Sequence, residues 1–434
     1  MRVLMLSWEY PPGAAGGMAA HVDGLSRAMV RAGHDVVLFT RTNPSRAVDE
    51  VVEGVRVLRA DVDMPWLRAE AEVARAASAN HAFVARAKSL GDWVPDVVHA
   101  HDWHVGWAAD VLATRFEVPL VTTLHGTERG RHGGHLPVGE PTDVNAVEWW
   151  LAFRSSRVIT STRLMVREIT GGFELDPAVV RRIPNGIDPR WWRVGSRDDS
   201  TSSDATDATD ATEVTEVTDV SDVSDVSDPI GTVGTVGTVG TVGSADDTTR
   251  RIVFTWGRVQ YEKGFQVLAR AMAVLRGRVP GILCVIAGRG SYLPELQSQI
   301  DLEGVSDIVQ LPGFLTDEEL RATIHRANCV VIPSLYEPFG IVALEALAAN
   351  AALIVADTGG LAELVGGTGS ALMFEPGNAA ELADRIEHVL TEPETARTMR
   401  RRGNELLDAT YSWEAIASRT IDVYAEVASS VSAR

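Results

Sequence analysis

Short apolar stretches alternate with segments of helical period along this chain in two separate series. Residues 3–8, 35–40, 96–101, 120–124 and 158–161 read as strands of the first series, with helical patterns such as 17–32 between them. Residues 251–256, 282–287, 308–311, 329–333, 353–356 and 371–374 form the second. A strand followed by a helix and another strand closes only as a right-handed crossover onto a parallel neighbour. Two such series therefore predict an α/β chain with two doubly wound parallel sheets facing a cleft, the default place for a ligand.

Between the series, residues 197–247 consist largely of triplets: three Asp-Ala-Thr, two Glu-Val-Thr, three Asp-Val-Ser and four Gly-Thr-Val. Such triplets lack large side chains and cannot bury enough apolar area to offset ordering entropy, so this segment is expected to be a disordered surface insert. The expected organisation is an N-terminal unit over 1–194, the acidic insert over 195–249, a C-terminal unit over 250–412, and a final helix over 413–434 returning to the N-terminal unit. The repeats hold thirteen acids against one arginine, so they account for −12 of the formal charge of −19. Neither the insert nor the remainder, at −7, suits nucleic-acid binding, which needs clustered Lys and Arg.

With 45% hydrophobic residues the chain can build large cores. Its two cysteines, Cys284 and Cys329, both fall in strand-like runs and are expected to be reduced core thiols, consistent with a cytoplasmic setting. The apolar run at the N-terminus is too short for a signal peptide, and no stretch reads as a membrane span. No oligomeric state follows from the sequence.

Four motifs carry chemistry. In "SWEYPPGAAGGMAAH", the Gly16-Gly17 pair opens a helix after the first strand and allows backbone N–H groups to approach a phosphate. In "GRVQYEKG", Arg258 and Lys263 flank a turn, a pairing suited to a diphosphate. In "SLYEPFGIVALEA", Pro338 marks a helix start, so the N–H groups of Phe339, Gly340, Ile341 and Val342 are expected to converge on an anion. Glu337 precedes that start and Glu345 lies two turns inside it, which places one carboxylate at each end of a sugar nucleotide. The fourth is "VVHAHDWHVGW" with "LHGTERGRHGG", in which His101 and His125 each end a strand and Asp102 follows His101. His99 is expected to face away from His101. No His-x-x-x-His helix or cysteine ligand accompanies these residues, so no metal site and no cofactor are expected.

Apart from the insert, the whole chain resembles the retaining nucleotide-sugar glycosyltransferases of the GT-B fold. The resemblance rests on the Glu-x7-Glu pair Glu337/Glu345 and the Arg258/Lys263 pair. Within that class it is similar to bacterial and archaeal glycogen synthases and actinobacterial α-1,4-glucosyltransferases. Ala14 stands where the larger synthases carry a lysine, which points to the shorter actinobacterial-like branch. The resemblance implies a nucleotide-sugar donor, ADP- or UDP-glucose, and an α-1,4-glucan or related oligosaccharide acceptor. It implies that Gly17 contacts the donor phosphate, His125 lies beside the transferred sugar and Asp102 lies toward the acceptor. It also implies that Arg258 and Lys263 neutralise the diphosphate, Glu337 holds sugar hydroxyls and Glu345 holds the ribose, with Gly359 and Gly360 as further backbone donors. A mannosyl- or N-acetylglucosaminyltransferase with a lipid or inositol acceptor shares the motifs, and a silent glucan-binding protein is the alternative of another class.

Overall fold

The computed structural model describes residues 1–12, 17–43, 46–62, 67, 71–193 and 250–432; the triplet repeats and Gly16 lie outside the described residues. The first sheet comprises β1 (Arg2–Ser7), β2 (Asp35–Arg41), β3 (Asp49–Val52), β4 (Val55–Ala60), β5 (Val97–His101), β6 (Leu120–Leu124), β7 (Arg157–Thr160) and β8 (Val180–Arg182). Their order across the sheet is β3-β4-β2-β1-β5-β6-β7-β8. The second sheet comprises β9 (Arg251–Trp256), β10 (Ile282–Ala287), β11 (Val309–Gly313), β12 (Cys329–Ile332), β13 (Leu353–Ala356) and β14 (Ala371–Phe374), in the order β11-β10-β9-β12-β13-β14.

Both sheets are doubly wound, because helices cover both faces of strands that are apolar on both sides. Val3, Leu4, Met5 and Leu6 of β1 are all fully buried, as a parallel strand between two helical layers requires. The first sheet departs from purely parallel pairing at one edge, where β3 runs antiparallel to β4. Glu53 and Gly54 join them in left-handed backbone conformations, the geometry of a tight hairpin. Strand order reverses between β1 and β5 and again between β9 and β12. In open α/β sheets ligands bind beyond the strand ends at such reversals.

The chain crosses between the two units near its end. Tyr411 packs in the core around β9, β12 and β13. Two residues later, Trp413 packs in the core around β1, with Ile416, Tyr424 and Val427 of the helix Trp413–Ser432. A Cβ added to Gly24 or Gly186 would lie 2.1 or 2.7 Å from the Trp413 indole, so two glycines form its seat. Cys284 and Cys329 are buried free thiols. Among the described residues, no helix is long and apolar enough to cross a membrane.

Candidate active site

The loops beyond the two reversals meet. On the N-terminal side, β5 ends at His101 and is followed by Asp102, whose N–H donates to the Thr123 carbonyl at 2.9 Å. Asp102 has a φ of 60°, an uncommon conformation for a residue with a Cβ, which turns its buried carboxylate back toward the next loop. There it accepts the His125 backbone N–H at 2.7 Å. Burial raises the Asp102 pKa, and the His125 N–H bond partly opposes that rise. Burial also lowers the His125 imidazole to about 4, so the ring is neutral at physiological pH.

His99 and His101 do not face opposite ways. Residues two apart in a strand share a face, and the two rings lie 4.2 Å apart. His99 is tied on both nitrogens, to the Thr123 hydroxyl at 2.8 Å and the Tyr424 hydroxyl at 2.5 Å, which makes it part of the seat of the returning helix.

On the C-terminal side, the turn after β9 carries Arg258, which is exposed, and then Lys263, whose Nζ donates to Glu337 Oε2 at 2.8 Å. Ser334 Oγ donates to the same oxygen at 3.3 Å. Gly264 holds this turn against the next loop: with a φ of 69°, an added Cβ would lie 1.9 Å from the Pro333 carbonyl oxygen. The helix that follows Glu337 spans Ile341–Ala348, with Gly340 as its N-cap at φ 94°.

Gly340 and Phe339 therefore precede the helix, and the Phe339 side chain is buried in the core. The first-turn N–H groups of Ile341 and Val342 lack an intrahelical acceptor by position, as at any helix start. Glu345 is half-buried and accepts the Trp256 indole N–H at 3.2 Å, and burial pushes its carboxyl up to about 7. Gly360 is not a free donor, because its N–H is spent on the Glu337 carbonyl at 2.8 Å. Gly359 lies against the same carbonyl, where a Cβ would approach to 2.3 Å, so this glycine pair positions Glu337.

The two sides touch at these loops. A Cβ on Gly126, next to His125, would sit 3.7 Å from Pro338 Cγ, and one on Gly17 would sit 3.2 Å from Ile341 Cγ2. Thr162 Oγ1 donates to the Pro338 carbonyl at 2.9 Å. The Tyr336 hydroxyl donates to Glu168 Oε2 at 3.1 Å, an oxygen that also accepts from Thr127 Oγ1 at 3.2 Å. The structure thus brings Gly17 and the His125–Gly126 turn, to which Asp102 is bonded, against Ile341 and Pro338 of the other unit.

Three further residues at the site are given no role by the sequence reading, although Glu9 and His21 lie within the first motif. Glu148 accepts the Glu128 N–H with both oxygens, at 3.0 and 3.1 Å, and burial pushes its carboxyl up to about 8. Glu9, in the loop after β1, is raised by burial while the charges of Arg41, His104 and Arg258 oppose the rise. His21 of the helix Gly17–Arg31 lies with its ring 4.8 Å from that of His125.

Comparison with known proteins identifies the family and the fold. Residues 15–191 match the family model for Glycosyltransferase Family 4, and residues 243–406 match that for Glycosyl transferases group 1. The chain is 36% identical to a glycogen synthase of Mycobacterium tuberculosis, over 98% of this chain and 94% of that protein. It is 28% identical to an α-maltose-1-phosphate synthase of the same species, over 98% of this chain and all of that one. Among solved structures, a sucrose-phosphate synthase of Thermosynechococcus elongatus superposes with a TM-score of 0.75 at 22% identity, covering 99% of both chains. The chain is a hexosyltransferase of the GT-B class and belongs to the glycosyltransferase family that contains the glycogen synthases.

Proposed function

We propose that this protein transfers glucose from ADP- or UDP-glucose to an α-1,4-glucan, with retention at the anomeric carbon and without a metal. The observation that carries this reading is the contact between the His125–Gly126 turn and the Glu337–Pro338 turn, beside Lys263 and the helix start at Ile341. The glucan acceptor is supported by the likeness to the mycobacterial glycogen synthase.

In this reading the diphosphate lies over the N–H groups of Ile341 and Val342, with Gly17 allowing close approach from the other side. Arg258 and Lys263 stabilise the charge that develops on phosphate as its bond to the anomeric carbon breaks. A neutral His125 accepts or donates one hydrogen bond at the sugar, Glu337 orients sugar hydroxyls, and Glu345 accepts from the ribose. The acceptor hydroxyl enters from the Asp102 side, attacks on the face the phosphate leaves, and gives its proton to the departing phosphate oxygen. No step in this scheme uses a cofactor.

A panel of ADP-, UDP- and GDP-sugars against maltooligosaccharides and glucose 1-phosphate tests it, with product linkage and anomeric configuration read by NMR. Elongation of maltooligosaccharides through new α-1,4 bonds is expected. Turnover only with glucose 1-phosphate, or only with a mannose or N-acetylglucosamine donor, would overturn the acceptor or the sugar assignment.

A further inference from the structure

His21, His101 and His125 come from three different segments, yet one ring nitrogen from each lies within 4.8 Å of the other two. His101 Nδ1 and His125 Nε2 are 3.3 Å apart. Two imidazole nitrogens bound to tetrahedral zinc at about 2.0–2.1 Å are about 3.3–3.4 Å from each other, so this pair already has the spacing of one edge of such a site. Among the described residues, His21 Nδ1 is buried and has no hydrogen-bond partner, an arrangement that calls for a water or an ion.

The surroundings fit neutral ligands. His21 and His101 are buried, and burial favours the neutral form of all three rings, the form that can ligate a metal; an ion would replace the hydrogen bond between His101 Nδ1 and His125 Nε2. Asn185 hydrogen-bonds the His21 ring and the Trp413 indole packs edge-on against it at 5.5 Å, fixing its orientation as outer-shell partners do. His99 shows the contrast: both of its nitrogens are already taken. The ring farthest from closure is His21, which must move its nitrogen by at most about 1.5 Å to reach tetrahedral spacing.

We propose that His21, His101 and His125 form a binding site for a borderline divalent transition metal such as zinc or cobalt, and that its occupation inhibits glycosyl transfer. Imidazole donors suit zinc, nickel and copper and are poor ligands for magnesium or calcium. Water takes the remaining coordination position from the side of His125, the one ring of the three that is not fully buried. Inhibition follows because coordination through Nε2 fixes the His125 ring and sets a cation and its water beside the place assigned to the sugar; this half of the proposal rests on the role given to His125 above, and binding itself does not.

The test is a titration of the full-length protein with Co²⁺, followed by visible absorption. One equivalent per chain with the intense d–d bands of four-coordinate cobalt is expected, without the thiolate charge-transfer band that Cys284 or Cys329 would give. His21→Gln and His101→Gln should each weaken the metal by tenfold or more, while His132→Ala, in the exposed pair with Glu128, should not. Circular dichroism confirms that each variant is folded. Absence of the bands, or bands that persist in both glutamine variants, would overturn the site. Stoichiometric Zn²⁺ should slow transfer by the native protein at least tenfold, and His21→Gln should need at least tenfold more Zn²⁺. Metal that binds without inhibiting would overturn the role of His125 and leave the site standing.

Discussion

Replacing Lys263 with Met separates its two roles. The Lys263–Glu337 pair is 2.8 Å long, with side-chain exposures of only 18% and 10%. Removing the cation leaves the Glu337 carboxylate with Ser334 as its one remaining side-chain hydrogen-bond partner among the described residues. Breaking a fully buried pair costs about 3–5 kcal/mol and an exposed one about 0–1, so this partly buried pair should cost about 2 kcal/mol. For a cooperative chain of 434 residues that corresponds to a fall in Tm of roughly 2 °C. The same cation is assigned to the leaving diphosphate, where loss of one preorganised group lowers kcat by about 100- to 1,000-fold. Lys263→Met/Glu337→Gln removes the stranded charge and should recover most of the lost Tm, yet stay as inactive as the single variant. Differential scanning calorimetry and steady-state kinetics on the two variants read both effects. If Lys263→Met keeps near-native turnover, or if the double variant regains activity along with stability, Lys263 acts only as a structural partner of Glu337 and the phosphate assignment fails.

Glu345→Gln should raise the donor KM about tenfold with little change in kcat, because the carboxylate is assigned to ribose binding and makes no contact with the reacting bond. The folded pKa of Glu345 is about 7 against an ordinary 4.5, so its ionised form opposes folding: native stability falls as pH rises from about 4.5 to about 7. Glu345→Gln should therefore gain Tm relative to the native protein at pH 8 and lose that advantage at pH 4.5. Gly360→Ala should depress both Tm and turnover, since its Cβ would lie 2.3–2.6 Å from the Phe339 backbone and displace the Glu337 turn. Gly277→Ala, with open space around it, should change neither. Activity should survive EDTA unchanged, and a requirement for added Mg²⁺ or Mn²⁺ would contradict the metal-free scheme.

Much of the fold is legible in the sequence because buried parallel strands leave continuous apolar runs, as at 3–6 and 329–332. The β3–β4 hairpin is not, because charged residues interrupt its apolar pattern: Asp49, Glu50, Arg56 and Arg59 lie within twelve residues. Only the fold shows that Arg59 is buried and paired with Glu50 at 2.7 Å. β8 is three residues long, too short for any periodicity. At the site, Glu337 and Lys263 stand in motifs that signal a charged turn, but their mutual pairing joins residues 74 apart and leaves no local trace. Gly360 looked like a backbone donor because glycine permits close approach; here the close approach is to Phe339 and the Glu337 carbonyl. His21 lies in an amphipathic helix where a single histidine resembles any core residue. Its importance comes from the strand ends it meets.

In the proposed site, the turn after β9 and the helix start at Ile341 together clamp a diphosphate. A crystal structure of the protein with ADP or UDP bound tests it most directly. Phosphate oxygens are expected within hydrogen-bond reach of Arg258, of Lys263 Nζ and of the N–H groups of Ile341 and Val342, with the ribose hydroxyls on Glu345. A diphosphate seated elsewhere, with the 2.8 Å Lys263–Glu337 pair intact and Glu345 still held only by Trp256, would contradict it.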